Sequence, residues 1–376
     1  MPTSTPPPTA TPTPVPKPTS PPKPKPKPLT GLGFDYGIQA HFINQDHGPI
    51  INAVKDLGFR WVKQQIEWKH YEPAKGQYLW GEIDRLVESC QAAGLKILLS
   101  VVKAPKWARP GNTDLSVEGP PANPQDFADF LAAMAERYKG RVQAYEIWNE
   151  QNLHYEWGNE PLDAGRYVQL LAAAYKAIKA KDPGAIVVSG ALTPCGDNPG
   201  KAIDDLRYLE QMYQAGLKNY CDAVGVHPSG YNVPPDADWR TWSDPSATFR
   251  GPADNHHHSW VFRGTMEGSR NVMVVYGDSS KRLWPTEFGW ASTDGMGVGP
   301  NPGYDYAADN TEAEQAQFLV RAYQMGKNWG WVGPMFCWNL NFWPIAGADS
   351  ETAKFGIVRG DWSGRPAYAA LRDMPK

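Results

Sequence analysis

The chain has no surplus of positive charge. Among its 376 residues, 37 Lys and Arg stand against 40 Asp and Glu, a formal net charge of -3. A phosphate backbone finds little to bind here, and nucleic acid is not an expected partner. Cysteine is scarce: Cys90, Cys195, Cys221 and Cys337 show no CxxC spacing, which argues against a disulfide scaffold or a cysteine-held metal. No apolar run reaches the roughly 18 residues that a membrane-spanning helix requires, so no membrane span is expected. No Gly-rich GxGxxG turn follows the first β-rich run, which weakens a doubly wound dinucleotide-binding sheet. What is present is 41% hydrophobic and 12% aromatic residues, ample for a large core.

Proline is plentiful but uneven, with 13 of the 36 falling in residues 1 to 28 beside four lysines and no acidic residue. Missing amide hydrogens and a fixed φ favour polyproline II there, and only Met1, Ala10 and Val15 could enter a core. Residues 1–30 are therefore expected to form a disordered Pro/Thr/Lys-rich linker, and residues 31–376 the folded domain. Removing the four lysines leaves 33 basic against 40 acidic residues, a net -7 for the folded part. Such spacers commonly tether extracellular enzymes. The expectation is a secreted or cell-surface protein whose export signal preceded this sequence.

From residue 33 onward, eight β-rich runs alternate with helical periodicity. The runs are Phe34 to Phe42, Trp61 to Trp68, Lys96 to Val102, Val142 to Trp148, Ala185 to Gly190, Ala223 to His227, Arg282 to Phe288 and Pro334 to Trp338. Apolar residues at i, i+3, i+4 and i+7 mark amphipathic helices through Ile83, Leu86, Val87 and Cys90, through Phe127, Phe130, Leu131 and Met134, and through Tyr167, Leu170, Leu171, Ala174 and Ile178. Asn123-Pro124 and Thr311 to Glu314 read as helix starts, and Arg365 to Met374 as the last helix. Eight strand-helix units predict an α/β fold, a (β/α)8 TIM barrel. The segments 104–122, 151–161, 229–255 and 291–310 all follow a strand. In a barrel they would build the catalytic face.

Two of the strand ends carry a glutamate in an aromatic setting: Tyr145-Glu-Ile-Trp-Asn149-Glu150 after the fourth and Trp284-Pro-Thr-Glu287-Phe-Gly-Trp290 at the seventh. Two carboxylates facing each other across a barrel mouth can share the cleavage of a glycosidic bond, one donating a proton and the other attacking the anomeric carbon. The charge on Glu287 is expected to raise the proton affinity of Glu150 and to give a bell-shaped pH profile.

The Trp-Asn-Glu and Thr-Glu-Phe-Gly motifs resemble the signature of clan A glycoside hydrolases. Leu57 to Gln65 (Leu-Gly-Phe-Arg-Trp-Val-Lys-Gln-Gln) and Asp222 to Pro228 (Asp-Ala-Val-Gly-Val-His-Pro) resemble family 39 and its exopolysaccharide-hydrolase relatives. The resemblance covers roughly residues 33 to 375. It implies that Glu150 is the acid/base, Glu287 the nucleophile and Asn149 the group that binds the sugar 2-hydroxyl. It further implies that a side chain after strand six, Tyr231 or His227, meets the nucleophile, and that Trp338 forms a sugar platform. Family 39 xylosidases usually continue into a β-sandwich that does not follow here, which favours a groove accepting a polysaccharide interior.

Gln39, His41, Lys63 and Gln65 end strands one and two, where they could bind hydroxyls or a carboxylate. The indoles of Trp107, Trp157, Trp239, Trp242, Trp260 and Trp343 in loops, with Trp290, offer platforms for further sugars, and about half are expected to bind. His256-His-His258 has no acidic or cysteine partner at ligand spacing and reads as a solvated loop, so no metal and no cofactor are expected. The expectation is a monomeric, retaining, endo-acting β-glycoside hydrolase with a polysaccharide or oligosaccharide substrate. An exo-β-glycosidase of xylosidase type, a transglycosylase and a non-catalytic glycan-binding barrel are the alternatives.

Overall fold

The computed structural model describes residues 32–376. The expected linker over residues 1–30 lies outside the described residues. Eight parallel strands are laid side by side: β1 (Asp35–Gln39), β2 (Trp61–Glu67), β3 (Lys96–Val102), β4 (Ala144–Ile147), β5 (Ile186–Ser189), β6 (Ala223–Val226), β7 (Arg282–Pro285) and β8 (Pro334–Cys337). From β1 to β7 each strand pairs with the next in sequence, and β1 also pairs with β8. Bridges between Leu283 and Val332 and between Phe288 and Cys337 close the remaining gap between β7 and β8. The expected (β/α)8 barrel is formed.

The helices on the outside are α1 (His47–Asp56), α2 (Gly81–Ala92), α3 (Pro124–Arg137), α4 (Ala164–Lys181), α5 (Asp205–Gln214), α6 (Phe262–Val275), α7 (Glu312–Trp329) and α9 (Pro366–Asp373), with a short α8 (Phe342–Ala346) in the loop after β8. Local chemistry starts them where expected. Asn123 accepts from Gln125 N at α3, and Thr311 and Glu314 form a complete capping box at α7. Two buried helix tyrosines then fix strand ends. Tyr167 donates to Ile147 O at 2.9 Å and accepts from Gly190 N, while Tyr323 donates to Gly37 O at 2.6 Å and accepts from Cys337 N.

Inside the barrel, alternate strand residues point inward. Its floor is a dry plug of Trp61, Leu98, Ala144, Val188, Ala223, Trp284 and Phe336. Trp61 packs edge-on against Trp284 at 5.6 Å. Gly37 makes room for them, since a Cβ there would come within 2.7 Å of Phe336 and 2.9 Å of Trp61. Below the floor Asp35, at the start of β1, accepts from Trp61 Nε1 at 3.2 Å and pairs with Arg60, while Lys63 and Glu146 lie toward the C-terminal end of the strands, where a barrel carries its site.

Candidate active site

Directly above the floor, Lys63 on β2 is fully buried and reaches two carboxylates, Glu146 Oε2 at 3.0 Å and Glu287 Oε1 at 2.8 Å. Thr286 donates to the other oxygen of Glu146 at 2.6 Å. Burial opposes the charge on Lys63, but Glu146 and Glu287 outweigh it and raise the ammonium pKa. Of the uses open to Lys63, binding a carboxylate is the one observed. Glu146 was not singled out in the sequence. Its signal is strand parity, since it lies two residues beyond the inward-facing Ala144.

The turn that follows β4 carries the first expected glutamate. Trp148 and Glu150 both have left-handed backbones, φ 73° and 47°, a conformation costing on the order of 1–3 kcal/mol per non-glycine residue. Trp148 is held by Phe127 and Trp157 and donates to Glu156 O at 3.2 Å. The turn directs Asn149 and Glu150 into the barrel mouth, where they line the same cavity as Glu287. One carboxylate oxygen of Glu150, one of Glu287 and a ring nitrogen of His227 all lie within 4.8 Å of one another.

His227 Nδ1 is 2.8 Å from Glu150 Oε1 and 3.9 Å from Glu287 Oε2. The closer partner of the histidine is thus Glu150, and the short contact to Glu287 comes from Lys63. Tyr231 meets neither glutamate. Its hydroxyl donates to Pro194 O at 2.9 Å, and its ring stacks on Trp260 at 3.8 Å as part of the cavity wall. The expectation that Glu287 raises the Glu150 pKa is corrected. Burial, the largest cause, pushes it up, but the hydrogen bond and charge of His227, with a hydrogen bond from Thr193 and the charge of Lys63, together hold it below the usual value. Burial likewise works against charge on His227, and Glu287 and Glu150 together lift its pKa instead.

The cavity measures about 550 Å³. Gln65 and Trp338 line it, as expected, and Asn149 Oδ1 and His227 Nε2 are buried there without a protein partner. Further lining residues were not anticipated: Tyr155, Glu156, Phe249, Tyr304, Tyr306 and Glu351. Burial, then the charge of Glu150, pushes Glu156 up to about 8 and Glu351 to about 7. The 104–122 loop contributes no lining residue, whereas the unanticipated long loop after β8 supplies Trp338, Glu351 and Phe355.

Several expected binding residues lie elsewhere. Gln39 is buried beside the cavity but does not line it, and the His41 ring packs on Phe342 at 5.7 Å. Trp107 packs edge-on against Trp68 and donates to Glu72 O, so it is a loop anchor. Trp157 is fully buried against Trp148 with Arg166 over its ring. Trp290 is fully buried and donates to Val233 O at 2.8 Å beneath Gly230, where any Cβ would collide with the indole. Of the six loop tryptophans, Trp260 alone lines the cavity.

The histidine run is also different from the expected solvated loop. His256 turns to Trp242 O, whereas His257 and His258 are partly buried against Asp204 and Asp205, acidic partners supplied by the fold from more than 50 residues away.

The model of the family described as Cellulase (glycosyl hydrolase family 5) matches residues 30–234, a span that includes Glu150 and His227 but ends before Glu287. Among solved structures, a family 39 glycoside hydrolase from the gut symbiont Bacteroides cellulosilyticus WH2 is similar with TM-score 0.63 and 23% identity, over 90% of this chain and 62% of that one. This chain thus spans less than two thirds of that protein. A family 39 β-xylosidase from Caulobacter crescentus is similar with TM-score 0.60 and 18% identity, covering 91% and 72% of the two chains. Xylanase 10B from Thermotoga petrophila RKU-1 has TM-score 0.56 and 12% identity, covering 91% and 93%. These likenesses are of fold. The placing in clan A is met, with family 5 supplying the sequence match and family 39 the fold likeness.

Two outcomes are expected. Lys63→Met leaves Glu146 and Glu287 without their shared cation and should cost about 3–5 kcal/mol in denaturant unfolding. Adding Glu146→Gln should recover part of that loss, and equal stability of the single and double variants would contradict the coupling. The raised pKa values of Glu156 and Glu351 mean that the folded state keeps protons which the unfolded chain releases. Their contribution is fully present below about pH 4.5 and is lost as pH rises through about 7 to 8. The double variant Glu156→Gln/Glu351→Gln should therefore match wild type in Tm at pH 5 relative to its own baseline and gain on it by pH 8.5. A Tm difference independent of pH would contradict this.

Proposed function

Because the chain belongs to the cellulase (glycosyl hydrolase family 5) family, whose model matches more than half of its length, we propose that it is a retaining β-glycoside hydrolase acting on a polysaccharide. Glu150 is the acid/base and Glu287 the nucleophile. The observation that carries this reading is the approach of the two carboxylates to within 4.8 Å. Retaining enzymes separate them by about 5–5.5 Å, whereas inverting enzymes leave about 6.5–9.5 Å for a water.

The first step needs a proton on the leaving oxygen and a carboxylate at the anomeric carbon. Glu150 and His227 share a hydrogen bond at 2.8 Å, so the proton that the departing sugar takes from Glu150 is held in that pair. Lys63 engages Oε1 of Glu287 and leaves Oε2 for attack. The buried, unpartnered Oδ1 of Asn149 can accept from the sugar 2-hydroxyl without competing for that proton. In the second step Glu150 takes a proton from water, which cleaves the glycosyl-enzyme from the same face as the departed group.

Endo action is supported by the cavity's size, larger than one sugar ring needs, and by aromatic walls from several loops: Tyr155, Tyr231, Trp260, Tyr304 and Trp338. Trp157 and Trp290, fully buried, are not among these platforms. The same reading has the enzyme acting outside the cell as a monomer, secreted or tethered through its Pro/Thr spacer.

Azide separates the two roles. With Glu150→Ala and an aryl glycoside of a good leaving group, azide should restore turnover and give a glycosyl azide of the substrate's anomeric configuration. With Glu287→Gly it should give the inverted azide, both read by NMR of the anomeric proton. Exchanged outcomes would reverse the assignment, and rescue of neither would favour a binding barrel. On polysaccharide, a ladder of oligomers is the expected product, and monosaccharide alone would contradict endo action.

A further inference from the structure

On the flank of the cavity, the loop between β6 and α6 and the N-terminus of α5 bring together residues that the glycosidase reading does not use. Asp204 caps α5 by accepting from Arg207 N with one oxygen, which leaves Oδ2 facing the loop. His257 Nε2 and His258 Nε2 each lie 3.6 Å from that oxygen. Asp205 Oδ1 is 3.0 Å from His258 Nε2. We propose that Asp204, His257 and His258 form a zinc site, with Asp205 beside it against His258, that staples the β6–α6 loop to α5.

The distances are those of a coordination shell. Ligands held tetrahedrally by bonds of about 2.0–2.1 Å lie about 3.3 Å from one another; His257 and His258 each lie 3.6 Å from Asp204, and the three ligand atoms are all within 4.8 Å of one another. Two imidazoles with a carboxylate suit zinc, whereas calcium or magnesium would call for oxygen ligands alone. The carboxylates of Asp204 and Asp205 also balance the charge of the ion. The nearby Arg207 guanidinium is engaged by Asp197 at 2.6 Å.

A second observation points to a missing partner. Asp205 is 3% exposed; its Oδ1 faces His258 and accepts from Cys195 N at 3.3 Å, while its Oδ2 has no hydrogen-bond partner. A buried carboxylate oxygen left without a partner is costly, and a cation bound nearby lowers that cost. The outer contacts fit as well. His257 Nδ1 is 2.8 Å from Ser259 Oγ, a hydroxyl able to accept from the ring and so leave the Nε2 lone pair for the metal. Ser259 N also approaches Nδ1, at 3.3 Å, so metal binding turns this nitrogen from acceptor to donor. On His258 the ion displaces the proton shared with Asp205, which is released to solvent.

The triad of Glu150, His227 and Glu287 has comparable spacing but contains Lys63 at 2.8 Å from Glu287, and that ammonium already occupies the place of a cation. No such cation is paired with Asp204 or Asp205 among the described residues. The consequence reaches the substrate cavity through two residues of chain. Trp260 follows His258, stacks on Tyr231, and both line the cavity. The ion would therefore fix an aromatic wall without taking part in the chemistry.

The test uses the full chain without a histidine tag, stripped with EDTA and dialysed, then titrated with zinc chloride by calorimetry. One zinc per chain is expected, with Tm raised by roughly 3–8 °C at a hundredfold excess over Kd. Asp204→Asn keeps the helix cap while removing the charged ligand, and His257→Gln removes one imidazole. Each should weaken zinc binding at least about 100-fold, with Tm in EDTA close to that of wild type, while Glu150→Gln should keep the full stoichiometry. Absence of a saturable site in the wild type would overturn the proposal. So would zinc binding that survives both Asp204→Asn and His257→Gln, or binding that is lost only in Glu150→Gln.

Discussion

An ammonium group removed from water must be repaid by opposite charge at hydrogen-bond distance, and in this barrel that demand organises the site. Lys63 has no exposed side-chain surface and lies between Glu146 at 3.0 Å and Glu287 at 2.8 Å. The tryptophan floor beneath leaves the lysine no route to solvent at the closed end of the barrel, so both carboxylates must come to it. Glu146 is anchored in turn by Thr286, the residue before Glu287. The three residues therefore hold Glu287 from below and from the side, with one oxygen bound and the other turned to the cavity.

The same logic runs outward through His227. This ring is buried between Glu150 and Glu287, and its charge holds the Glu150 pKa low against the effect of burial. Farther out, Glu156 and Glu351 have no cation close enough to offset burial and are pushed up to about 8 and 7. Near neutral pH Glu156 faces the cavity largely as a neutral acid able to donate to sugar hydroxyls, and Glu351 titrates there. Charge is thus concentrated at the base of the cavity and proton-holding groups stand at its rim.

Much of this was legible in the amino-acid sequence. All eight strands fall within the β-rich runs, because the strands of a parallel barrel are buried on both faces and are short and largely apolar, with polar residues such as Lys63 and Glu146 where they face the site. The caps at Asn123 and Thr311 were legible because capping is local chemistry. Glu150 and Glu287 stand out because strand position and neighbouring motif coincide, and the fold brings both to one cavity. The misassigned tryptophans show the limit: Trp157 and Trp290 lie at strand ends and in loops, and nothing in their neighbours tells which way an indole turns. Glu156 and Glu351 carry no spacing signal, and their roles arise from burial beside distant charges. Asp204 meets His257 and His258 only through packing of α5 against the β6–α6 loop.

The central claim, that Glu287 becomes covalently bonded to the sugar while Glu150 moves the proton, has a direct test. A 2-deoxy-2-fluoro glycoside with a good leaving group slows breakdown of the intermediate more than its formation, so the glycosyl-enzyme accumulates. Mass spectrometry of the intact protein and then of its peptides should show one sugar per chain, on the peptide containing Glu287. A sugar attached at Glu150, or rapid turnover to product of inverted configuration with no adduct, would contradict the account.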